Sequence, residues 1–142
     1  PLFGKKPSRE QIPLILLTTA ALITLNFVIS AFAVQAGIDD THAVTAYATT
    51  LALIPFFTLL YTAFSSLAEE MFFRGFAYTV FGNLLSAFAF ALFHWGYGSY
   101  VEIAGVFLAG LILNYSRSQS NSIYPGVVAH FLFNAFIIFF WV

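Results

Sequence analysis

The sequence predicts an all-α, polytopic transmembrane bundle of about five to six helices, with a polar site buried in the bilayer. Three observations predict it. The chain is 61% hydrophobic and 20% aromatic with 8% charged residues, whereas soluble domains carry about 25% charged residues. Charge-free runs recur at lengths that cross a ~30 Å hydrocarbon core. One stretch, Ser66-Leu67-Ala68-Glu69-Glu70-Met71-Phe72-Phe73-Arg74-Gly75, then sets three formal charges inside such a run. No Asp, Glu, Lys or Arg occurs from Thr41 through Ala68 or from Gly75 through Val101.

The 142 residues amount to one domain. Residues 1–11 read as a polar N-terminal flank and 12–142 as a single transmembrane domain. A net charge of −1 with dispersed cations is no footprint for nucleic acid, and the apolar composition makes the lipid bilayer the predicted partner. The absence of cysteine excludes disulfides, thiolate metal sites and a Cys nucleophile. Because the first residue is Pro1 rather than Met, upstream sequence, including further spans, can precede it.

Taken in order, Lys5, Lys6 and Arg9 form a cationic flank, and Ile12 to Ile38 runs 27 residues without a charge, long enough to span with tilt. Ala31-Phe32-Ala33 mimics a signal cleavage site, but the apolar region is too long for a signal peptide and predicts a retained span. Asp39-Asp40-Thr41-His42 is a polar loop, with His42 solvated. Ala43 to Ala68 is the second apolar run, kinked at Pro55. It continues to the turn signal Gly82-Asn83. As one helix this would be about 60 Å long, so a break near Ser65-Ser66 is expected. Leu84 to Trp95 is a short helix carrying His94, followed by a turn at Gly96-Tyr97-Gly98-Ser99. Tyr100 to Tyr115 is a further span with Ala104, Gly105, Ala109 and Gly110 for close packing. Glu102, near its start, reads as interfacial. Ser116 to Ser122 reads as a polar loop. Ile123 to Val142 is the last span, with Pro125 in its first turn and His130 and Asn134 among aromatics.

On a helix Glu70 and Arg74 stand one turn apart and can pair, while Glu69 is rotated about 100° away. The pair by itself is consistent with a structural lock between helices. The turn at Gly82-Asn83 lies midway between Glu69 and His94, so an antiparallel hairpin brings both to one depth. His130 lies a similar distance beyond the Arg117 loop, with Asn134 one turn further on the same face. Glu69, His94, His130 and Asn134 can therefore converge. A carboxylate and imidazoles away from bulk water suit water activation, and a second His with an Asn amide can donate to an oxyanion. The same Glu and two His could instead hold zinc with an open position. A buried His bonded to a carbonyl, or an Asn gluing helices, is the plainer alternative for each residue alone. His-Glu-x-x-His, Gly-x-Ser-x-Gly and an intramembrane Asp pair are all absent.

Glu69-Glu70-x-x-x-Arg74, Phe90-x-x-x-His94 and His130-x-x-x-Asn134, in that order on separate helices, resemble the three signature motifs of the CPBP intramembrane proteases, the Abi or CAAX-processing family that includes the Rce1-type endopeptidases. Phe72-Phe73-Arg74-Gly75-Phe76 and Ser122-Ile123-Tyr124-Pro125 agree with that resemblance, which covers about residues 60–140. It implies an intramembrane endopeptidase in which Glu69 and His94 activate water, His130 and Asn134 stabilise the oxyanion, and Glu70 and Arg74 support them. It leaves two chemistries open: a metal-free glutamate protease, favoured here with no cofactor, or a zinc enzyme using Glu69, His94 and His130. The implied partner is a peptide or lipidated protein, prenylated CAAX proteins being the family's eukaryotic class, and the implied location is a prokaryotic cell membrane. The chain is short, with few spans before the glutamates, which separates it from the larger Rce1-type members. A non-catalytic scaffold or bacteriocin-immunity protein is the alternative, and a proton-coupled carrier a third reading that lacks the expected inverted repeats. If the second run crosses once, Lys5, Lys6, Arg9 and Arg117 share one side and Asp39, Asp40 and Glu102 the other, which puts the N-terminus in the cytoplasm.

Overall fold

A computed structural model describes residues 3–38 and 40–141; Pro1 and Leu2 of the N-terminal flank, Asp39 of the expected loop and Val142 at the end of the last span lie outside the described residues. After a 3-10 turn at Arg9–Gln11, the elements are α1 (Ile12–Ala36), α2 (His42–Ala52), α3 (Pro55–Glu70), a π-helical segment (Met71–Ala77), α4 (Tyr78–Phe93), a 3-10 turn (Trp95–Tyr97), α5 (Tyr100–Ser120) and α6 (Tyr124–Phe136), which ends in a π turn (Ile137–Trp141). The predicted all-helical bundle is what forms. Among the described residues three stretches are long and apolar enough to cross a membrane: Arg9–Ala36, Pro55–Tyr97 and Tyr124–Trp141. The chain is an integral membrane protein, and large side chains such as Phe56, Phe57, Phe64 and Phe140 stand exposed on its outer surface, where acyl chains replace water.

The second apolar run solves its length problem differently from expectation. No break occurs at Ser65-Ser66; α3 passes straight through it. The Ser65 hydroxyl donates back to the Thr62 carbonyl, a bond a helix tolerates, and Ser66 is fully buried. The breaks lie elsewhere. Ile54 (φ −128°, ψ 64°) separates α2 from α3, with Pro55 opening the new helix, where its missing N–H costs nothing. Gly82 (φ 78°, ψ −174°) interrupts α4 in a region open almost only to glycine. There the chain doubles back: Phe73 meets Phe90 at a ring-centroid distance of 5.0 Å and Phe93 at 5.8 Å. The expected hairpin is therefore present.

Leu22, Phe73, Ala77, Phe90 and Leu113 form the apolar core, drawn from α1, the π segment, α4 and α5. Gly110 lets α5 approach α4 so closely that an added Cβ would fall 3.2 Å from the Ala87 Cα. Asn114 adds a polar tie, donating to the Asn83 carbonyl and the Ser86 hydroxyl, both at 2.8 Å. The predicted loop from Ser116 to Ser122 is instead mostly helix. α5 runs to Ser120 because Ser118 and Ser120 return their hydroxyls to the Tyr115 and Ser116 carbonyls, and only Asn121 (φ 50°) turns out of it.

Both ends of the bundle are tied. At one end Lys5 N–H donates to Asn121 O (2.8 Å), Ile123 N–H to Phe3 O (3.2 Å) and the Ser122 hydroxyl to Lys5 O (2.8 Å). At the other, Asp40 accepts from the Ser99 hydroxyl (2.8 Å) and from the N–H groups of Tyr100 (2.6 Å) and Val101 (3.4 Å). Burial pushes the Asp40 carboxyl up, yet these hydrogen bonds outweigh it and hold the group below the usual carboxylate range. Lys5 and Arg117 thus share one end, and Asp40 and Glu102 the other, as the charge pattern predicts.

Gly82→Ala is expected to destabilise the bundle by about 1–3 kcal/mol, because alanine is strained at this φ. Gly96→Ala, with a negative φ and no neighbour within 4 Å of the new Cβ, stays within about 0.5 kcal/mol of wild type. Thermal unfolding of both variants in one detergent compares them.

Candidate active site

The site grows from the junction of α3 with the π segment. A π turn widens the helix by one residue and leaves backbone groups without regular partners, a feature concentrated at functional sites. Here Arg117 of α5 reaches in, its Nε–H donating to the Arg74 carbonyl at 3.3 Å while Nη1 donates to the Asn121 side chain at 3.1 Å.

Glu70 and Arg74 form the expected pair at 2.9 Å, with side chains 0% and 1% exposed. The same oxygen, Glu70 Oε1, also accepts from His130 Nδ1 at 3.0 Å. Arg74 lies over the Phe90 ring with its guanidinium carbon 4.2 Å from the centroid, and Nη2 extends to the Gly110 carbonyl at 3.4 Å. The second Glu70 oxygen has no hydrogen-bond partner among the described residues and packs against Gly126, where an added Cβ would fall 2.8 Å from it.

Glu69 points elsewhere, as its rotation on the helix predicts. Its side chain is 21% exposed, and its Oε2 lies 3.9 Å from His130 Nε2, beyond a hydrogen bond. His94 closes α4, and its Nδ1–H donates to the Phe90 carbonyl at 2.9 Å, so Nε2 carries the free lone pair. Phe90 holds both imidazoles, edge-on to His94 at 4.8 Å and to His130 at 5.9 Å. Asn134 sits one turn beyond His130, its amide 3.5 Å from the Ser66 hydroxyl.

Glu69, His94, His130 and Asn134 all line one cavity of about 270 Å³. The structure brings these four candidates together and sets Glu70 and Arg74 behind them. The contact of His130 is with Glu70 rather than Glu69, which spacing could not decide. Sequence reasoning also missed Phe90 as the shared support, Gly126 as the space for Glu70, and Arg117 as the anchor of the π segment. The i, i+4 spacing of Phe90 and His94 was the one available signal. Glu102, read as interfacial, lines the cavity as well. Among the described residues no three His, Cys, Asp or Glu side chains are grouped so as to hold a metal ion.

Fold and site together define a polytopic membrane protein with a partly buried carboxylate–imidazole cluster. The family model for type II CAAX prenyl endopeptidase Rce1-like proteins matches residues 51–136, a span containing all six of these side chains. The chain belongs to this Rce1-like family of membrane endopeptidases. No curated protein and no solved structure gives a significant match.

Arg74→Leu is expected to cost about 3–5 kcal/mol, because it leaves Glu70 charged and buried without its partner. The double variant Glu70→Gln/Arg74→Leu recovers part of that loss, and a double-mutant cycle of unfolding free energies reads the difference. Gly126→Ala forces a carboxylate that is pinned at its other oxygen, with an expected loss of about 1–3 kcal/mol by the same assay.

Proposed function

We propose that the protein is an intramembrane endopeptidase that hydrolyses a peptide bond with water activated by Glu69 and His94. The observation that carries this reading is the convergence of Glu69, His94, His130 and Asn134 on one cavity, with the Glu70–Arg74 pair gripping His130 from behind. Water bound between Glu69 and His94 Nε2 gives a proton to Glu69 as its oxygen attacks the peptide carbonyl carbon. The resulting oxyanion accepts hydrogen bonds from the Asn134 amide and from His130 Nε2–H. His130 donates there as an imidazolium, its Nδ1–H held by Glu70. Glu69 then delivers its proton to the leaving nitrogen as the C–N bond breaks. Each hydrogen bond is made where charge develops, which is where an enclosed site lowers a barrier most. This route uses no metal.

The substrate is a membrane-associated peptide, and a prenylated CAAX-type segment is the first to test because the family's description carries that activity. The charge asymmetry of the two ends supports a cytoplasmic N-terminus.

The test is cleavage of a peptide library, farnesylated members included, by detergent-purified wild type, Glu69→Gln and His94→Ala, with and without chelator. Wild type is expected to cleave equally in both conditions, and each variant to lose about 10²–10⁴-fold in rate. Chelator-sensitive cleavage would overturn the metal-free route. No cleavage by folded wild type would favour a scaffold or immunity role.

A further inference from the structure

Glu102 is the cavity's unexplained charge. The sequence Ser99-x-x-Glu102 reads as a capping box, in which the Ser side chain bonds the third helical N–H and the Glu carboxylate returns to the Ser N–H. Only half of it forms. The Ser99 hydroxyl accepts from Glu102 N–H at 2.9 Å, but the Glu102 carboxylate makes no hydrogen bond or ion pair among the described residues. Asp40 has taken over the helix end, serving the Ser99 hydroxyl and the Tyr100 and Val101 N–H groups. The α5 N-terminus is therefore capped without Glu102, whose side chain is half-buried and lines the same cavity as Glu69, His94, His130 and Asn134.

An unpaired carboxylate half-buried in a cavity wall is costly unless it meets a partner. No Lys or Arg of the chain lines this cavity. Arg74 is committed to Glu70, Arg117 to the π segment, and Lys5 lies at the opposite end. The ionisable groups facing the cavity besides Glu102 are Glu69, His94, His130 and the phenols of Tyr47, Tyr61 and Tyr97. Two of the phenols, Tyr47 and Tyr61, already hydrogen-bond each other at 3.1 Å. The cavity thus offers an acid with no cation of its own, beside walls apolar enough to hold a hydrocarbon stem.

We propose that Glu102 is a specificity residue that receives the ammonium or guanidinium of a basic side chain in the substrate peptide. The inference rests on the cavity being the substrate site and adds a substrate class to it: apolar, membrane-associated peptides with one Lys or Arg near the scissile bond.

Binding and cleavage are measured separately. In the Glu69→Gln background, where turnover is blocked, a blocked apolar tetrapeptide carrying one lysine is compared with its norleucine twin. The readout is tryptophan fluorescence, since Trp141 also lines the cavity. With Glu102 present the lysine peptide is expected to bind roughly tenfold to a hundredfold more tightly, the range of a charge-assisted hydrogen bond. Glu102→Gln removes the preference and Glu102→Asp keeps part of it. Equal binding of the twins, no binding of either, or a preference that survives Glu102→Gln overturns the proposal. The lysine–norleucine contrast needs no substitution at Glu102, so it decides even where a variant fails to fold. Cleavage of the same pair by wild type is the second arm: a binding preference without hydrolysis sinks the endopeptidase reading alone, and hydrolysis without preference sinks this one alone.

Discussion

A single carboxylate oxygen, Glu70 Oε1, joins three helical segments. At the end of α3, it takes one hydrogen bond from Arg74 on the π segment and another from His130 on α6. In a bilayer each of these groups would be expensive alone, so their positions are mutually determined: the pair is tolerable only while it is closed and desolvation is offset by contact. Arginine suits this place better than lysine. Its planar head lies flat on the Phe90 ring, keeps one nitrogen on Glu70 and extends another to the Gly110 carbonyl, a combination an ammonium cannot reproduce. Phe90 in turn supports both imidazoles, so packing and polarity at the site share the same atoms.

The π segment follows the two glutamates directly and bears Arg74. Two neighbouring glutamates on a helix diverge, and the backbone carbonyl of Arg74 is secured by Arg117. The rigidity of the site therefore comes from α5 as much as from the helix that bears the acids. Gly110 and Gly126 belong to the same requirement. One allows α5 to close on α4, and the other leaves room for a carboxylate oxygen where any side chain would intrude.

Most of the architecture was legible in the sequence because a bilayer restricts a chain to few solutions. Charge-free runs announced the spans, and the Gly82-Asn83 turn, midway between Glu69 and His94, announced the hairpin. Legibility failed where hydroxyl side chains were involved. Ser65-Ser66 and the serines from Ser116 to Ser120 look like loop signals, but they satisfy themselves against their own helix and extend it. It failed again for Glu102, which reads as interfacial in the sequence but lines the cavity, while Asp40, from a segment far away in sequence, serves the α5 N-terminus. Contacts between distant segments, such as His130 with Glu70 and Arg117 with Arg74, leave no local periodicity to read.

The tie between the N-terminal strap and the turn after α5 bears on how the molecule is made. Gly4 (φ 69°) lies so close to Asn121 that an added Cβ would fall 2.0 Å from its carbonyl oxygen, and α1 packs against α6. Helices α1 and α6 are therefore neighbours, although synthesis separates them by α2 to α5. Glu70 precedes His130 by 60 residues, a delay on the order of several seconds at translation rates of ~5–20 residues per second. Until α6 inserts, the glutamates stand in the membrane without the imidazole that completes their cluster. The cluster is thus assembled only once α6 has been synthesised and inserted.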